Sequence, residues 1–247
     1  MNKTLSILTL MSLLLFTACS SDSDNGPEFG DLVLTVGDTY ELEADDDWES
    51  ENTFIVTVKD DVLTAVRQGE TYIVGKNHSF KVTVKPGNSD FAEPVLDFGC
   101  TFNQLKKQMT SYSIEEESDE AILYNGKGKV SYYMYGFEDE VMNIASMFTN
   151  TSNLEQLAEF LKERYVTVTV DEEEGYIGMM NSEGTLLIIV QVVELSSEYY
   201  YVVSYGDARS YTRSVAPSFS TILLNTGCEI TDECPAMLQN LYDAVAH

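Results

Sequence analysis

The sequence predicts a small β-sandwich followed by an α+β domain with a C-terminal helix. Two observations lead to this prediction. Residues 31–86 contain short alternating apolar runs, separated by turns at intervals of about eight to twelve residues, which is typical of a sandwich. Residues 95–206 instead alternate helical and strand patterns, which is typical of helices packed on an antiparallel sheet. Residues 87–94 separate the two patterns and are interpreted as a linker, because proline and glycine cluster there.

The N-terminus has the composition of a secretory signal. The apolar run Leu5–Phe16 is too short to span a bilayer, and Thr17-Ala18-Cys19 follows it directly. This order resembles the lipobox of bacterial lipoproteins. The resemblance implies that residues 1–18 are a signal peptide, that Cys19 is acylated, and that residues 19–30 form a lipidated tether to the outer membrane.

A Ser/Asp cluster, Ser20–Asp24, follows the predicted lipidation site. It resembles the surface-export signal of lipoproteins in one phylum of gut-dwelling Gram-negative bacteria, and the resemblance implies a location on the cell surface. The alternative is a plain solvated tether, which Gly26, Pro27 and Gly30 also favour. In that case the protein faces the periplasm.

The chain is strongly acidic and rich in aromatic residues. Its net charge is −27, 44% of its residues are hydrophobic, and it has 15 Tyr and 11 Phe. This composition indicates a folded core, and the charge repels phosphate backbones and anionic headgroups. We therefore expect no nucleic-acid partner, and we expect membrane contact only through the lipid on Cys19.

Acidic runs occur at residues 45–47, 115–117 and 171–174. Carboxylates bind calcium, but no run has the alternating ligand spacing and the glycine of a known calcium loop. We therefore interpret all three runs as solvated turns. Neither a metal site nor a cofactor is predicted.

Three cysteines remain besides Cys19. Cys228 and Cys234 flank a turn-like segment, so we expect them to form a disulfide that pins the start of the C-terminal helix. The alternative pairs Cys100 with one of the two and joins the tail to the preceding domain. A zinc site is not expected, because no second CxxC pair or nearby histidine accompanies these residues.

The strand pattern of the first domain also carries a resemblance. The motifs concerned are Val36–Thr39, Trp48–Asn52, Ile55–Val58, Leu63–Val66 and Gly69–Ile73. Their order resembles that of the bacterial immunoglobulin-like group 2 domain, although the turn after Glu51 lacks the proline of that family. The resemblance implies an all-β Ig-like sandwich over residues 31–86, used as a spacer or an adhesive module, and it implies no catalysis.

The second domain shows the same order of elements twice. Capping boxes at Thr101–Gln104 and Ser152–Glu155 predict the starts of two helices. The strand patterns that follow are Ala121–Asn125, Lys129–Phe137 and Glu140–Phe148 after the first helix, and Tyr165–Val170, Tyr176–Asn181, Thr185–Leu195 and Tyr199–Tyr205 after the second. We therefore predict a duplicated helix-plus-antiparallel-strands unit over residues 95–206, in which the sheet backs onto two helices.

The opening of this unit, Phe98–Thr101 followed by Leu105–Met109, places a glycine before a helix. It resembles the helix-plus-meander unit of small outer-membrane assembly lipoproteins and of the β-lactamase inhibitory protein. Proteins of that kind bind other proteins, so the resemblance implies a binding role.

Aromatic residues offer a candidate ligand platform. On an alternating strand, Tyr199, Tyr201 and Tyr205 share one face, whereas Tyr200 lies on the other. If the first face is open, its tyrosines form a flat surface for sugars or a partner protein, and Trp48 of the sandwich is a second candidate for ligand stacking. We favour the alternative, in which helices cover the tyrosines and Trp48 is a core residue.

Residues 207–247 form a C-terminal extension with an apolar run, Phe219–Leu224, and a final helix. The apolar stripe of that helix consists of Leu238, Leu241, Tyr242 and Val245. Such a stripe predicts that the helix docks on the second domain.

The sequence holds few residues for catalysis. Its histidines, His78 and His247, are far apart, and neither belongs to a nucleophile motif or a metal-ligand cluster. A carboxylate pair is the remaining route, because the chain holds 41 acidic residues. We expect a non-enzymatic surface lipoprotein that binds a glycan or a protein. The alternatives are a small glycosidase-like hydrolase and a periplasmic assembly factor or inhibitor.

Overall fold

The computed structural model describes residues 30–43, 46–209 and 228–246. The chain is mostly β-sheet, with 46% strand and 16% helix, and its last described element is a helix. This confirms the prediction of a β-rich chain with a C-terminal helix. Within the described part, no helix combines the length and the apolar composition that crossing a membrane requires. The predicted signal peptide, Cys19 and the run Phe219–Leu224 lie outside the described residues.

The first part of the chain forms two packed sheets. The strands described between residues 30 and 85 are β1 (Leu32–Thr35), β2 (Thr39–Glu41), β3 (Glu49–Ser50), β4 (Val56–Lys59), β5 (Val62–Ala65), β6 (Gly69–Val74) and β7 (Ser79–Lys85). One sheet has the order β1-β7-β6-β3 and the other has the order β2-β5-β4. β1 and β7 pair in parallel, and the other neighbours are antiparallel.

An apolar core lies between these sheets because the strands alternate. In β7 the side chains of Phe80, Val82 and Val84 are buried, whereas those between them are more exposed. They form one cluster with Leu63 of the facing sheet and with Trp48. Each fully buried aliphatic side chain contributes about 1.5–3 kcal/mol relative to exposure, so this alternation stabilises the sandwich.

The rest of the described chain is built around one antiparallel sheet. Its strands are β8 (Ile114–Glu117), β9 (Ala121–Asn125), β10 (Tyr132–Glu138), β11 (Val141–Asn150), β12 (Tyr165–Asp171), β13 (Tyr176–Asn181), β14 (Leu186–Leu195) and β15 (Glu198–Asp207). The helices are α1 (Phe102–Gln108), α2 (Leu154–Lys162) and α3 (Cys234–Ala246). The strand order is β12-β13-β14-β15-β11-β10-β9-β8. α1 precedes the meander β8–β11, α2 precedes the meander β12–β15, and the meanders join where β11 pairs with β15.

Helices cover one side of this sheet, which we call the helix face. Tyr201 and Tyr205 of β15 lie there in one cluster with Leu161 of α2 and Leu241 of α3. The buried stripe of α2 consists of Leu157, Ala158, Phe160 and Leu161. In α3, Leu238 and Leu241 are buried, and Tyr242 and Val245 pack on the same cluster. The predicted docking of the C-terminal helix is therefore confirmed.

The intervening strand residues point to the opposite side, the second face. Tyr200 of β15 lies there with Phe148 of β11 and with Cys228, as the alternation of the strand predicts. A polar patch interrupts this apolar surface, where the hydroxyls of Ser146 and Ser204 share a hydrogen bond of 2.8 Å. Among the described residues, the apolar clusters of this face consist of strand side chains and Cys228.

One of the two predicted helix starts is confirmed and the other is wrong. α1 begins with the predicted capping box of Thr101 and Gln104. α2 begins at Leu154 after a 3-10 turn, Thr151–Asn153, so the capping box predicted at Ser152–Glu155 does not form. The physical reason is that Asn150 caps the chain earlier, because its Oδ1 accepts a hydrogen bond from the backbone N–H of Ser152 at 2.9 Å.

The acidic run at residues 115–117 is a strand and not the predicted turn. It belongs to β8, which pairs with β9 at the edge of the sheet and is exposed along its length. Charged side chains on an edge strand discourage pairing with other chains. The run at 171–174 does form a turn after β12, as predicted.

The predicted linker makes specific contacts with the second domain. The backbone N–H of Asn88 donates to Glu163 Oε2 at 2.7 Å, and Arg164 Nη2 donates to the carbonyl oxygen of Asn88 at 2.8 Å. Phe91 is buried, and its ring meets a ring of α2 edge-on at a centroid distance of 5.5 Å. The N–H of Gln68, in the sandwich, donates to the carbonyl oxygen of Glu163 at 2.7 Å. Glu163 and Arg164 therefore connect the sandwich, the linker and the sheet.

Candidate functional site

The aromatic platform considered from the sequence is not formed, because its members belong to two separate cores. Trp48 is buried in the sandwich, where its Nε1 donates to a backbone carbonyl oxygen at 2.9 Å. Tyr201 and Tyr205 are buried on the helix face. Of the four residues only Tyr199 is half-exposed, and its hydroxyl accepts a hydrogen bond from Thr231 Oγ1 at 3.3 Å. The favoured alternative, a core role, is confirmed for the three buried side chains.

The buried tyrosines do not supply nucleophiles or bases near neutral pH. Tyr201 Oη donates to the carbonyl oxygen of Met237 at 3.1 Å, and burial raises the pKa of Tyr201 to about 12. Burial, together with nearby Glu93, also raises the pKa of Tyr165 and of Tyr205 well above the usual range. These hydroxyls therefore remain protonated and serve as hydrogen-bonding groups of the core.

The predicted disulfide between Cys228 and Cys234 is not formed in the described part of the chain. The physical reason is that the two side chains pack on opposite sides of the sheet, Cys228 on the second face and Cys234 on the helix face. Between them Glu229 pairs with Glu194 of β14, and the chain changes faces there. The alternative pairing with Cys100 is also absent from that part, since Cys100 is a buried thiol whose pKa is raised by burial.

An acid–histidine pair lies on the sandwich. Asp46 Oδ2 lies 3.1 Å from His78 Nδ1, and Asp46 Oδ1 accepts hydrogen bonds from the backbone N–H and the side-chain amide of Asn77 at 3.1 and 3.0 Å. Burial by itself raises the pKa of Asp46, but these hydrogen bonds outweigh it, so the pKa lies below its usual value. The pair holds the segment before β3 against the turn before β7, which is a structural role.

The described carboxyl groups with clearly displaced pKa values do not include a candidate general acid. The pKa of Glu70 is lowered by Lys81, that of Asp207 by Arg209, and that of Glu233 by hydrogen bonds. A glycosidase needs a carboxyl group whose pKa is raised, so that it holds a proton for the leaving group. Within the described residues, no three or more His, Cys, Asp or Glu side chains are grouped to hold a metal ion.

A groove between α3 and the turn that joins β12 to β13 is the candidate functional site. Its cavity volume is about 240 Å³. Its lining includes the apolar Val170, Leu238 and Tyr242, which are buried or half-buried, and Asp171, Glu172 and Gln239 supply polar groups beside them. Cofactor and drug sites usually enclose about 300–1,000 Å³. The groove is therefore sized for a single side chain or a small molecule.

Local sequence explains both walls of the groove. β12 ends at Asp171, whose Oδ1 accepts hydrogen bonds from the N–H groups of Glu173 and Glu174 at 3.1 and 2.9 Å and so closes the turn. Gly175 completes it with a φ of +68°, a left-handed conformation that favours glycine. In α3, the apolar groove residues Leu238 and Tyr242 are four positions apart and share one side of the helix.

The groove carries negative charge without a local counter-ion. None of its lining residues is basic, and the ion pairs of the described residues do not involve Asp171 or Glu172. Gln239 Nε2 donates to Asp243 Oδ1 at 2.8 Å, which holds a further carboxylate beside the groove. Apolar walls next to unpaired carboxylates suit a ligand that has both an apolar part and a positive charge.

Sequence reasoning missed this groove. It treated residues 171–174 as a solvated turn and the stripe of α3 as core packing, and both interpretations are correct locally. The signal was divided between two segments that only the tertiary fold brings together. A polar residue beside an amphipathic stripe, here Gln239, is too common a pattern to indicate a groove.

No protein-family model matches this chain, no curated protein matches it, and no solved structure matches it. The conclusion about function therefore depends on the groove and on the sequence.

Proposed function

We propose that this protein is an outer-membrane lipoprotein, exposed on the cell surface, that binds a protein or glycan ligand and catalyses no reaction. The observation that carries the binding role is the groove between α3 and the β12–β13 turn. The lipobox resemblance at Cys19 and the cluster Ser20–Asp24 support the location. The net charge of −27 supports ligands other than nucleic acid and membrane contact through the lipid alone.

We further propose that the sandwich is immunoglobulin-like and that the sheet domain is a duplicated unit. The first proposal is supported by two facing sheets with a shared apolar core. The second is supported by the order helix then four-stranded meander, which occurs twice, with β11 and β15 adjacent. In this arrangement the sandwich is a spacer, and the sheet domain presents the groove.

The two alternatives are supported unequally. A carboxylate-based hydrolase lacks support, because the clearly displaced carboxyl pKa values are lowered and the groove is small for a sugar chain. A periplasmic assembly factor or inhibitor is the second candidate, and the repeated helix-plus-meander order favours it. Location separates this candidate from a surface protein.

The location is tested by protease treatment of intact cells followed by immunoblotting. We expect loss of the band without release of a periplasmic marker. A band that survives until the outer membrane is permeabilised would contradict surface exposure and favour the periplasmic candidate. Replacement of Cys19 by Ala tests the anchor, and we expect the variant to leave the membrane fraction.

The binding role is tested by applying the purified full chain to glycan and peptide arrays. The variant Gln239→Trp fills the groove with a large side chain, and Asn240→Trp adds the same side chain at the next, exposed helix position, which does not line the groove. We expect Gln239→Trp to lose the ligands that the wild type and Asn240→Trp retain. Equal binding by all three proteins would contradict the role of the groove.

A further inference from the structure

We propose that the groove receives a basic side chain, arginine or lysine, from a protein partner. This inference rests on the proposed binding function and names the chemistry of its ligand. Both side chains combine an apolar stem with a cationic head, and the groove offers surroundings for each part.

The volume and the apolar walls suit the stem. The cavity of about 240 Å³ has Val170, Leu238 and Tyr242 among its lining residues. These residues belong to, or pack against, the core of the helix face, so the walls are held in place before a ligand arrives. A preformed apolar slot lowers the ordering cost of binding a flexible stem.

The carboxylates suit the head. Asp171 and Glu172 line the groove, and among the described residues neither has an ion-pair partner within the protein. The turn fixes the carboxylate of Asp171 through the two hydrogen bonds that its Oδ1 accepts. A guanidinium or ammonium group binds such carboxylates by charge-assisted hydrogen bonds.

Charge also argues for a protein source and against a glycan. Neutral sugars donate hydroxyl hydrogen bonds to carboxylates but form no ion pair with them, and acidic sugars are repelled by the carboxylates and by the net charge of −27. A basic patch on a protein is attracted at a distance and then anchored by one inserted side chain. The inferred partner is therefore a protein with a basic surface.

The test measures binding of short peptides to the full chain, purified in mild detergent, by calorimetry. The probes are acetylated Ala-Ala-Arg-Ala-Ala amide and two matched peptides in which citrulline or norleucine replaces arginine. Citrulline keeps the shape without the charge, and norleucine keeps an apolar stem. A free arginine amide tests whether a small cation is bound as well as a peptide.

Two double variants separate the groove carboxylates from the general acidity of the turn. Asp171→Asn with Glu172→Gln removes two charges that line the groove, and the amide introduced by Asp171→Asn retains an oxygen that can close the turn. Glu173→Gln with Glu174→Gln removes two charges from the same run that do not line the groove. The variant Gln239→Trp blocks the groove with all carboxylates intact.

We expect the arginine peptide to bind and the citrulline and norleucine peptides to bind about three- to fivefold more weakly. The variant at 171 and 172 should show a similar loss, and Gln239→Trp should abolish binding. The variant at 173 and 174 should show a clearly smaller loss, because its carboxylates do not line the groove. If free arginine amide binds more tightly than the peptide, the proposal that the basic side chain comes from a protein partner is wrong.

Other outcomes would overturn the inference about a basic side chain without deciding whether the groove is a binding site. Equal binding of all three peptides would show a groove that ignores charge, and the binding function would stand with a different ligand. No binding of any peptide would also overturn the inference, and the array comparison would then decide the function separately. Equal losses of affinity in the two double variants would show that the peptide responds to the overall charge of the acidic run and not to the carboxylates that line the groove.

Discussion

At the scale of single residues, polar side chains inside this protein are held by specific partners. Asp46 is an example, because His78 and Asn77 both bind its carboxylate and keep its pKa below the usual value despite burial. Trp48 lies beside this cluster, with its ring stacked on that of His78 at a centroid distance of 6.4 Å. The protein has one tryptophan, so its fluorescence reports on this part of the sandwich.

The state of Asp46 makes the stability of the sandwich depend on pH. A carboxyl group whose pKa is lower in the folded than in the unfolded protein contributes stability above its unfolded pKa of about 4, and this contribution is lost as the pH falls through the folded pKa. We expect the thermal midpoint followed by Trp48 fluorescence to fall between about pH 5 and pH 2 more steeply in the wild type than in Asp46→Asn.

The control for this prediction is Glu51→Gln, which alters an exposed carboxyl group of the same domain. The thermal midpoint of this variant should depend on pH in the same way as that of the wild type. Parallel curves for the wild type and Asp46→Asn would contradict a stabilising role for the ionised carboxyl.

At the scale of elements, short helices depend on the sheet that they cover. α2 has 9 residues, and isolated helices of fewer than about 12–15 residues are marginal in water. Asn150 caps the 3-10 turn that precedes the helix, and the stability of α2 comes from the buried stripe that meets the helix face. The predicted cap was wrong because a single side chain sets a cap, whereas several apolar positions together set the buried stripe.

Truncation of the stripe tests this dependence. Leu161→Ala removes a fully buried side chain, and we expect it to lower the free energy of unfolding by about 2–5 kcal/mol, measured by urea denaturation. Glu159→Ala, on the exposed side of the same helix, should change it by less than about 0.5 kcal/mol. Similar losses in both variants would contradict the conclusion that burial of the stripe stabilises α2, because alanine has a higher helix propensity than either replaced residue.

At the scale of the whole molecule, Glu163 and Arg164 join the two parts of the chain. Arg164 is 8% exposed, its Nη1 donates to the carbonyl oxygen of Phe160 at 3.1 Å, and its guanidinium lies 4.0 Å from the centre of the Phe160 ring. The sandwich and the sheet domain also approach each other closely at Gly69. A Cβ atom on this sandwich residue would lie 2.9 Å from Oγ of Ser182 in the sheet domain. These contacts couple the sandwich to the sheet domain.

Loss of this junction should weaken the coupling. We expect Arg164→Ala to lower the free energy of unfolding by about 2–3 kcal/mol. The variant leaves the carbonyl oxygens of Phe160, in a buried hydrogen bond, and of Asn88, which is half-buried, without their charged donor. We also expect the Trp48 transition to separate from the transition seen by far-ultraviolet circular dichroism. Arg209→Ala, which removes a largely exposed arginine, is the matched control and should leave both transitions together.

Local periodicity accounts for the parts of the fold that the sequence predicted. β9 and β13 begin and end at the predicted residues. Tyr200 and Tyr201 lie on opposite faces of the sheet, as the alternation of β15 requires. These features depend on neighbours along the chain, so a single sequence carries them. β8 was missed because its acidic residues suit a turn, and only pairing with β9 makes them a strand.

The amino-acid order alone therefore determined which residues alternate, where most strands run and which stripe of α3 is apolar. The tertiary structure decided what no local pattern contains: that the sheet separates Cys228 from Cys234, that Arg164 reaches Asn88, and that Asp171 lies across a groove from Gln239. The reason is physical, since periodicity comes from the geometry of one backbone segment. A pairing or a groove arises when distant segments together bury apolar surface and satisfy their polar groups.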